Sequence, residues 1–374
     1  MRELLACPAC AGHLRDEGDF LTCACGRYPV VGGIPVLTTW ARNSRLTLEE
    51  ALARHRSPPR GILGKILRRL SSGAPAIRRI LSNPEATFFD LAGALGRTAD
   101  LDYFRYRFSD LSYISTAALL TPLAGGPVLD LGCGAGHLLH ALSRKIPPRQ
   151  IVGLDLSFTL LYLARRFLVP DALLICADAS SRLPFRDGAF ESALCADMFN
   201  YLPDRELTAR ELMRVVRGPL LLSRLADPAF HGGGAFAPLE PRAYLEMFAQ
   251  RSPRLYLDRR LLEEFLKNRS LDLSCPSDSR EEVMTLIAGV DPRLYPRADF
   301  FVSGSTLNPI YDVQEEGGRL RLRRRLMSQR YTEVCRAYDA FLPETLEVTQ
   351  AQIADRDPDL VRRFVLLDLP PRYC

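Results

Sequence analysis

Lysine and long apolar runs are what this sequence has least of. Only three of its 49 basic residues are lysines (Lys65, Lys145 and Lys267), so arginine carries almost all of the positive charge. The net charge of +5 permits an anionic partner without requiring one. No apolar run reaches the ~18 residues of a membrane helix, and the N-terminus lacks the apolar stretch of a signal peptide. We therefore expect a cytoplasmic protein with no membrane segment.

The length and composition fit a soluble globular chain. It has 374 residues, of which 47% are hydrophobic and 25% charged, enough for two or three domains. Composition shifts predict four segments: a compact cysteine-containing unit at 1–40, a helical connector or cap at 41–118, a strand–helix domain at 119–305 and a helical C-terminal extension at 306–374. Within the connector, residues 60–70 have helical spacing.

Apolar strands alternate with amphipathic helices in the middle of the chain. This alternation indicates an α/β domain with a parallel sheet that is covered on both faces. The later part, after residue 226, is harder to interpret. We expect a helix at 259–271, with the last two strands at 271–274 and 300–303. The predicted strands of the regular part are 128–131, 151–155, 173–177, 190–196 and 218–224, and its predicted helices are 136–144, 157–168 and 204–216.

A glycine-rich turn follows the first of these strands. The run from Val128 to Gly136 reads V-L-D-L-G-C-G-A-G, and a helix begins directly after it. Glycine lets the backbone approach a ligand closely, and a helix N-terminus offers free N–H groups and a partial positive charge. The third glycine comes one residue earlier than in a dinucleotide-binding fingerprint. The turn therefore predicts a polar or anionic ligand of another kind, or merely a tight strand–helix connection.

Acidic residues follow the next two predicted strands. Asp155 ends the second strand, where a carboxylate can accept hydrogen bonds from a ribose diol. Asp178 follows the third strand, where a carboxylate can accept an exocyclic amino proton of adenine. Singly, Asp155 could be a helix cap and Asp178 a solvated loop acid. Their joint placement at successive strand ends favours one ligand site.

Together these residues resemble the class I S-adenosylmethionine-dependent methyltransferases, with a type 11-like core. The resemblance implies a Rossmann-like, mostly parallel seven-stranded sheet and transfer of a methyl group (EC 2.1.1.-), with S-adenosylhomocysteine as product. It also implies that the glycine turn holds the methionine part, Asp155 the ribose and Asp178 with Ala179 the adenine. The expected cofactor-binding residues are Asp130, Gly132, Cys133, Gly134, Gly136, Asp155, Leu156, Asp178 and Ala179.

Candidates for a catalytic base are few. Methyl transfer from a sulfonium depends mainly on alignment of the acceptor, and a base is needed only where the acceptor must lose a proton. Tyr201, close behind the fourth predicted strand together with Asp197 and Asn200, and His231, after the fifth, are the expected catalytic side chains. A structural or solvated role is the alternative for His231.

Four cysteines near the N-terminus predict a metal site. Cys7, Cys10, Cys23 and Cys25 form two pairs, the arrangement of a zinc ribbon. Residues 5–37 resemble the Trm112-like zinc-ribbon domains, although the second pair is C-x-C where that family has C-x-x-C. The zinc would be structural, because four thiolates leave no open position. The alternative is a metal-free unit with buried thiols.

Three functions are compatible with these features. We expect methylation of a small-molecule metabolite or natural product. The alternative is an RNA methyltransferase that uses the cysteine unit and basic stretches such as 319–325, although residues 200–203 (N-Y-L-P) do not match the turn of adenine amino-methylating enzymes. A non-catalytic binding module is the third possibility. The sequence gives no oligomeric state.

Overall fold

The fold is described from a computed structural model of the chain. The structure describes residues 1–54, 74–123, 125–231, 238–268, 271–274, 276, 279–290, 304–325 and 342–374. The predicted helix at 60–70 and the predicted strand at 300–303 lie outside these ranges.

A seven-stranded sheet forms the centre of the molecule, in the spatial order β10-β11-β9-β8-β5-β6-β7. The inner strands pair in parallel, and β11 runs antiparallel to both of its neighbours. The expected Rossmann-like, mostly parallel sheet is thus confirmed. Its strands are β5 (Val128–Leu131), β6 (Ile151–Asp155), β7 (Leu173–Cys176), β8 (Ser192–Ala196), β9 (Leu220–Ala226), β10 (Arg254–Leu257) and β11 (Val283–Ala288).

The helices that follow the inner strands of the sheet begin at capping residues. Ser157 caps the helix that follows β6 by accepting from the N–H of Leu160. Asp204 caps the helix that follows β8 by accepting from the N–H of Leu207. Such caps satisfy N–H groups that the helix itself cannot bond. These helices are α6 (His137–Ser143), α7 (Phe158–Leu163, continued by a π turn) and α8 (Arg205–Val215).

The outer strands of the sheet differ from those predicted from the sequence. Residues 271–274 form no strand, and the carbonyl of Leu273 accepts a hydrogen bond from the hydroxyl of Tyr256 at 2.9 Å instead. The sheet is completed by β10 and β11. The helix α9 (Pro241–Met247) precedes β10, and the helix predicted at 259–271 is observed as α10 (Asp258–Asn268). The apolar run V-M-T-L-I-A of β11 was the sequence signal for this strand. The run alone does not show which strands it pairs with, and a strand needs neighbouring strands to bond its backbone groups.

The N-terminal unit covers the exposed edge of the central sheet. Its strands are β1 (Arg15–Asp16), β2 (Phe20–Cys23), β3 (Gly26–Val31) and β4 (Ile34–Pro35). Val36 pairs in parallel with Cys176 of β7, and the N–H of Leu37 donates to the Cys176 carbonyl at 2.8 Å. Because an open strand edge presents unpaired backbone groups, this pairing caps β7 and fixes the unit to the domain.

Short helices of the connector pack beside the start of α6. They are α1 (Leu48–Arg54), α2 (Ala74–Leu81), α3 (Phe88–Ala94), α4 (Leu101–Tyr106) and α5 (Leu111–Ala118). The rings of Phe104 and Phe108 lie 5.9 and 5.1 Å from the ring of His137. The Tyr373 hydroxyl bonds His137 Nε2 and the Phe104 carbonyl, both at 2.7 Å. The connector is thereby joined to the first turn of α6.

The C-terminal segment corrects the prediction of a mostly helical extension. Its described residues form an antiparallel sheet of β13 (Tyr311–Glu316), β14 (Arg319–Arg324) and β15 (Thr345–Val348), and a short pair of β12 (Thr306–Leu307) with β16 (Leu366–Leu367). Exposed and buried side chains alternate along β14. Its R-L-R-L-R-R sequence has the period of a strand. Two short helices, α11 (Gln350–Ala354) and α12 (Pro358–Arg362), follow.

Within the described ranges, no helix combines the length and the apolar character that crossing a membrane requires.

Candidate cofactor site and metal centre

The predicted ligand-binding segments converge at one edge of the central sheet. Strands β5, β6 and β7 are neighbours, with Leu131 opposite Leu154 and Asp155 opposite Cys176. The glycine turn, Asp155 and Asp178 therefore each follow one of three adjacent strands and lie at the same edge of the sheet. This is the edge at which open parallel sheets bind their ligands.

The turn after β5 requires glycine for two separate reasons. Gly132, Gly134 and Gly136 all have positive φ angles, of 80°, 54° and 84°. A Cβ at Gly132 would lie 2.7 Å from Cγ of Met198, whereas a Cβ at Gly134 would meet no atom within 4 Å. Gly132 is thus fixed by protein packing, while Gly134 borders open space at the strand end. Such a space lets a ligand approach the backbone closely.

Asp155 is bound to the glycine turn before any ligand is present. Its Oδ2 accepts from the N–H of Gly134 and its Oδ1 from the N–H of Ser157, each at 2.8 Å. Burial raises the pKa of Asp155, while the two backbone donors oppose that rise. Leu156 follows with 48% of its surface exposed, so an apolar side chain stands open beside this carboxylate.

Hydrogen bonds between side chains and backbone groups fix the segment after β7. Asp178 is exposed, and its Oδ1 accepts from the N–H of Ser180 at 2.8 Å. Ala179 is buried, and its carbonyl accepts from the hydroxyl of Thr208 at 3.1 Å. These bonds fix the loop while Oδ2 of Asp178 accepts no hydrogen bond from the residues that the structure describes.

Asp130 is a buried acid, and one of its two carboxylate oxygens has no hydrogen-bond donor among the described residues. It is 1% exposed, and its Oδ2 has no partner within the described part of the chain. Burial raises the pKa of Asp130 to about 8, and the charge of Asp155 adds to that rise. Buried polar groups are nearly always bonded, so this oxygen marks a place where a ligand can supply the missing donor.

Cys133 packs inside the turn. Its Sγ lies 2.8 Å from where a Cβ of Gly153 would be, and burial raises the pKa of its thiol well above the ordinary range. A nucleophilic cysteine needs the opposite shift. This thiol is therefore a packing group.

The two expected catalytic residues follow neighbouring strands of the sheet. Tyr201 ends the short helix Phe199–Tyr201 behind β8, with 63% of its surface exposed. His231 lies behind β9, and its Nε2 is 3.6 Å from Oε1 of Glu282. Nothing in this geometry places either side chain on the glycine turn, and both roles stay predictions.

Asp197 and Arg224 have backbone conformations that are unusual for residues other than glycine. Both have positive φ angles, of 56° and 63°; Asp197 directly follows β8, and Arg224 lies near the end of the adjacent strand β9, where its Nη1 is 3.4 Å from Oδ2 of Asp258. Left-handed backbone in a residue other than glycine is costly and concentrates at functional sites. The carboxylate of Asp197 accepts no hydrogen bond from the described residues, and burial raises its pKa against the opposing charges of Arg224 and Arg107. The position of Asp197 directly after a strand was the sequence signal.

Four cysteine sulfurs in the N-terminal unit fit a metal ion. The ligand atoms of Cys7, Cys10, Cys23 and Cys25 all lie within 4.8 Å of one another, and three of the Sγ–Sγ distances are 3.2, 3.4 and 3.9 Å. Tetrahedral zinc with bonds of about 2.3 Å requires sulfurs about 3.8 Å apart. Although burial opposes ionisation of Cys7, hydrogen bonds from the Tyr28 hydroxyl and from the backbone lower its pKa to about 6. The C-x-C pair thus leaves the four sulfurs within the reach of one ion.

Comparison with known proteins agrees with this geometry. A family model described as "Methyltransferase domain" matches residues 129–218, which run from β5 to the start of β9. The chain carries a class I methyltransferase domain. The match contains the glycine turn, Asp155 and Asp178, so the resemblance drawn from the sequence is confirmed for this domain.

Relatives of the methyltransferase domain include two curated bacterial methyltransferases. The chain is 38% identical over 103 residues to the demethylmenaquinone methyltransferase of Thermotoga maritima, covering 27% of this chain and 44% of that protein. It is 36% identical over 110 residues to the malonyl-[acyl-carrier protein] O-methyltransferase of Legionella pneumophila, covering 28% and 37%. It thus spans less than half the length of these curated relatives. A solved complex of the Haloferax volcanii Trm112 activator with a methyltransferase aligns at 18% identity and a TM-score of 0.37, covering 51% of this chain and 96% of that one.

Proposed function

We propose that this protein transfers a methyl group from S-adenosylmethionine to a small-molecule acceptor. The observation that carries the proposal is the convergence of the glycine turn, Asp155 and Asp178 at three neighbouring strand ends of a methyltransferase domain. When bound, S-adenosylmethionine supplies a methyl group that its sulfonium has already activated.

The residues at this edge fit the parts of that molecule. Oδ2 of Asp130 has no donor in the part of the chain that the structure describes, and an ammonium group can supply one. Each oxygen of Asp155 uses one lone pair on a backbone N–H, which leaves another for a ribose hydroxyl. Asp178 can accept an exocyclic amino proton, and Leu156 offers an apolar contact for the base. The backbone of Gly132, Cys133, Gly134 and Gly136 together with Ala179 completes the proposed cofactor site.

The acceptor side is proposed to lie beyond β8 and β9. Asp197 is held in a left-handed conformation, and its carboxylate, which no described residue hydrogen-bonds, can take a proton from an acceptor hydroxyl or amine. Tyr201 and His231 remain candidates for contact with the acceptor. Positioning alone can contribute up to ~7–11 kcal/mol to such a transfer, so a base is required only where the acceptor carries a proton.

A small acceptor is favoured over RNA by the charges of β14. The exposed residues Arg319, Arg321 and Arg323 alternate along this strand, but acidic side chains stand opposite on both neighbouring strands. Asp312 lies across from Arg323 and Glu347 across from Arg321, and Glu347 also approaches Arg319 at 3.6 Å. A face with paired charges gives little of the phosphate attraction that RNA binding uses. The names of the relatives add support, since they refer to a quinone and to an acyl carrier.

We also propose that Cys7, Cys10, Cys23 and Cys25 hold a structural zinc ion, as their sulfur positions allow. Its role would be to fix the N-terminal unit that caps β7. Free thiolates of this kind are preserved in a reducing compartment, which supports a cytoplasmic location.

Isothermal titration of the full chain with S-adenosylhomocysteine tests the cofactor. We expect binding to the parent protein, and absence of binding would refute the proposed function. Methyl-labelled S-adenosylmethionine, incubated with the protein and either ultrafiltered cell metabolites or total RNA, tests the acceptor. We expect label in the metabolite fraction, and label in RNA instead would refute the small-molecule assignment. With an acceptor in hand, Tyr201→Phe and His231→Ala should lower kcat without changing the affinity for S-adenosylhomocysteine.

A further inference from the structure

We propose that Arg224 binds an anionic oxygen group of the methyl acceptor, a carboxylate or a phosphate, and so selects acceptors that carry a negative charge besides the atom that is methylated. The inference names the acceptor class of the proposed function and rests on that function. Arg224 lies in β9, beyond residues 129–218 that match the methyltransferase family.

A β-bulge in β9 sets the direction of the Arg224 side chain. Two residues of this strand, Ser223 and Arg224, stand opposite the single residue Thr285 of β11. The hydroxyl of Ser223 lies 2.9 Å from that of Thr116 in α5, while Nη1 of Arg224 lies 3.4 Å from Oδ2 of Asp258 in α10. Neighbouring side chains of a regular strand point to opposite faces, yet α5 and α10 pack against each other. The bulge thus turns both side chains toward one face, as bulges beside active sites do.

Asp258 holds the guanidinium of Arg224 at one end only. It is a buried residue that directly follows β10, its Oδ1 accepts from the hydroxyl of Thr285, and its Oδ2 faces Nη1. The other edge of the guanidinium carries Nε and Nη2. Nη2 donates to no residue that the structure describes, and Nε is shielded from water without an acceptor there.

This open edge of Arg224 has the geometry of an anion site. Its two N–H groups are parallel, and carboxylates and phosphates bind such an edge through two parallel hydrogen bonds. Buried donors are nearly always bonded, so the unbonded Nε marks a place where a ligand supplies the acceptor. The side chain as a whole keeps 23% of its surface exposed, which leaves it accessible from the edge of the sheet.

The loop after β8 connects Arg224 to the glycine turn. The N–H of Asp197 donates to the carbonyl that precedes Arg224 at 3.1 Å, and Nδ2 of Asn200 donates to the carbonyl of Arg224 itself at 2.7 Å. Between them, Met198 packs on Gly132, where a Cβ would lie 2.7 Å from its Cγ. One short loop therefore contacts the proposed cofactor site on one side and the bulge on the other. A group bound to Arg224 belongs to a molecule beside the cofactor.

The anion at Arg224 takes no part in the transfer itself. A lone pair of the acceptor oxygen or nitrogen forms the new bond to the methyl carbon while the C–S bond of the sulfonium breaks and its electron pair stays on sulfur. Asp197 takes the proton that the acceptor loses. The methylated product therefore keeps its negative charge.

Fractionation of the acceptor pool tests the assignment. Ultrafiltered cell metabolites are separated on an anion-exchange column at about pH 8, where carboxylates and phosphates are charged and phenols are not. Each fraction is then incubated with the parent protein and methyl-labelled S-adenosylmethionine. We expect labelled product from the retained fraction, and product from the flow-through alone would refute the inference. Treating the pool first with alkaline phosphatase removes a phosphate-bearing acceptor from the retained fraction and leaves a carboxylate-bearing one there.

Substitution of Arg224 tests the residue. Arg224→Met should raise the KM for the retained acceptor about ten- to a hundredfold, the effect of losing charge-assisted hydrogen bonds, and leave the affinity for S-adenosylhomocysteine unchanged. Arg224→Lys should recover part of this loss, because an ammonium keeps the charge without the two parallel donors. Arg259→Met is the matched control. Arg259 follows Asp258, its Nε is 3.3 Å from Oε1 of Glu281, and its side chain is 74% exposed, so this variant should keep the parent's KM.

The outcomes separate this inference from the proposed function. An unchanged KM in Arg224→Met, or a loss of S-adenosylhomocysteine affinity as large as the rise in KM, refutes the role of Arg224 while the proposed function stands. The fractionation needs no variant and therefore decides the acceptor class even if Arg224→Met fails to fold. If the parent does not bind S-adenosylhomocysteine, the proposed function fails and the inference fails with it.

Discussion

The backbone N–H of Gly134 lies 2.8 Å from Oδ2 of Asp155. This bond joins the turn after β5 to the acid at the end of β6, so two segments separated by a full helix act as one unit. The N–H of Ser157 holds the other oxygen at the same distance. Asp155 is therefore oriented before a ligand arrives, and part of the ordering cost of binding is met by folding.

Asp155→Ala is expected to weaken binding of S-adenosylhomocysteine about 10- to 100-fold. The variant removes the acceptor of the ribose hydroxyls, and hydrogen bonds to a charged group contribute about 1.5–3 kcal/mol each. Isothermal titration measures the change. Asp171→Ala, at an exposed acid in the loop before β7, is the control and should bind like the parent. Unchanged binding by Asp155→Ala would show that the ribose contact is wrongly assigned.

Gly134→Ala should lower the ligand affinity, whereas Gly96→Ala should not. Both glycines have positive φ angles, of 54° and 78°, and a Cβ at either position would meet no atom within 4 Å. Each substitution should therefore destabilise the fold by a similar amount, about 1–2 kcal/mol. Only the methyl group at Gly134 would enter the proposed cofactor site. Thermal melting and titration with S-adenosylhomocysteine separate the two effects, and equal affinities in both variants would contradict a ligand at the turn.

Asp130→Asn should change how the stability of the ligand-free protein depends on pH. Burial raises the pKa of Asp130 to about 8, while the unfolded chain has its ordinary value near 4. Between these two values the folded protein binds more protons, so the contribution of Asp130 to stability falls as the pH rises. The asparagine variant lacks this loss. It should match the parent near pH 4 and exceed it by a few kcal/mol above about pH 8.

Urea unfolding at several pH values checks this expectation. Asp171→Asn, at an exposed acid, should follow the parent throughout. Parallel curves for the parent and Asp130→Asn would mean that Asp130 titrates normally and is not the buried, donor-free acid of the structure.

Metal analysis of the purified chain should find about one zinc ion per molecule, as a single four-thiolate site implies. Cys10→Ser should reduce the zinc content and lower the melting temperature, because the zinc unit also caps β7 through Val36 and Leu37. Cys374→Ser, at an exposed cysteine outside the cluster, should change neither quantity. A stable, zinc-free parent protein would refute the metal site.

Local signals predicted the inner part of the sheet and the ligand-binding edge. The strands β5 to β9 are short apolar runs between amphipathic helices, and this periodicity is present in the sequence itself. Adjacent parallel strands end at one edge, so the placement of Asp155 and Asp178 after successive strands was already informative. The period-2 pattern of β14 was equally visible but was interpreted as part of a helical tail. The prediction for β14 was wrong because a pattern with the period of a strand was assigned to a helix.

The sequence by itself determined the strand–helix core, the glycine turn and the four-cysteine spacing, because each depends on residues close together along the chain. Only the tertiary structure decided that Val36 pairs with Cys176 and that Tyr373 bonds His137. These contacts join segments that are far apart in the chain. Burial and the lack of a hydrogen-bond partner among the described residues, which mark Oδ2 of Asp130, are properties of the surrounding packed atoms and do not exist until the chain has folded.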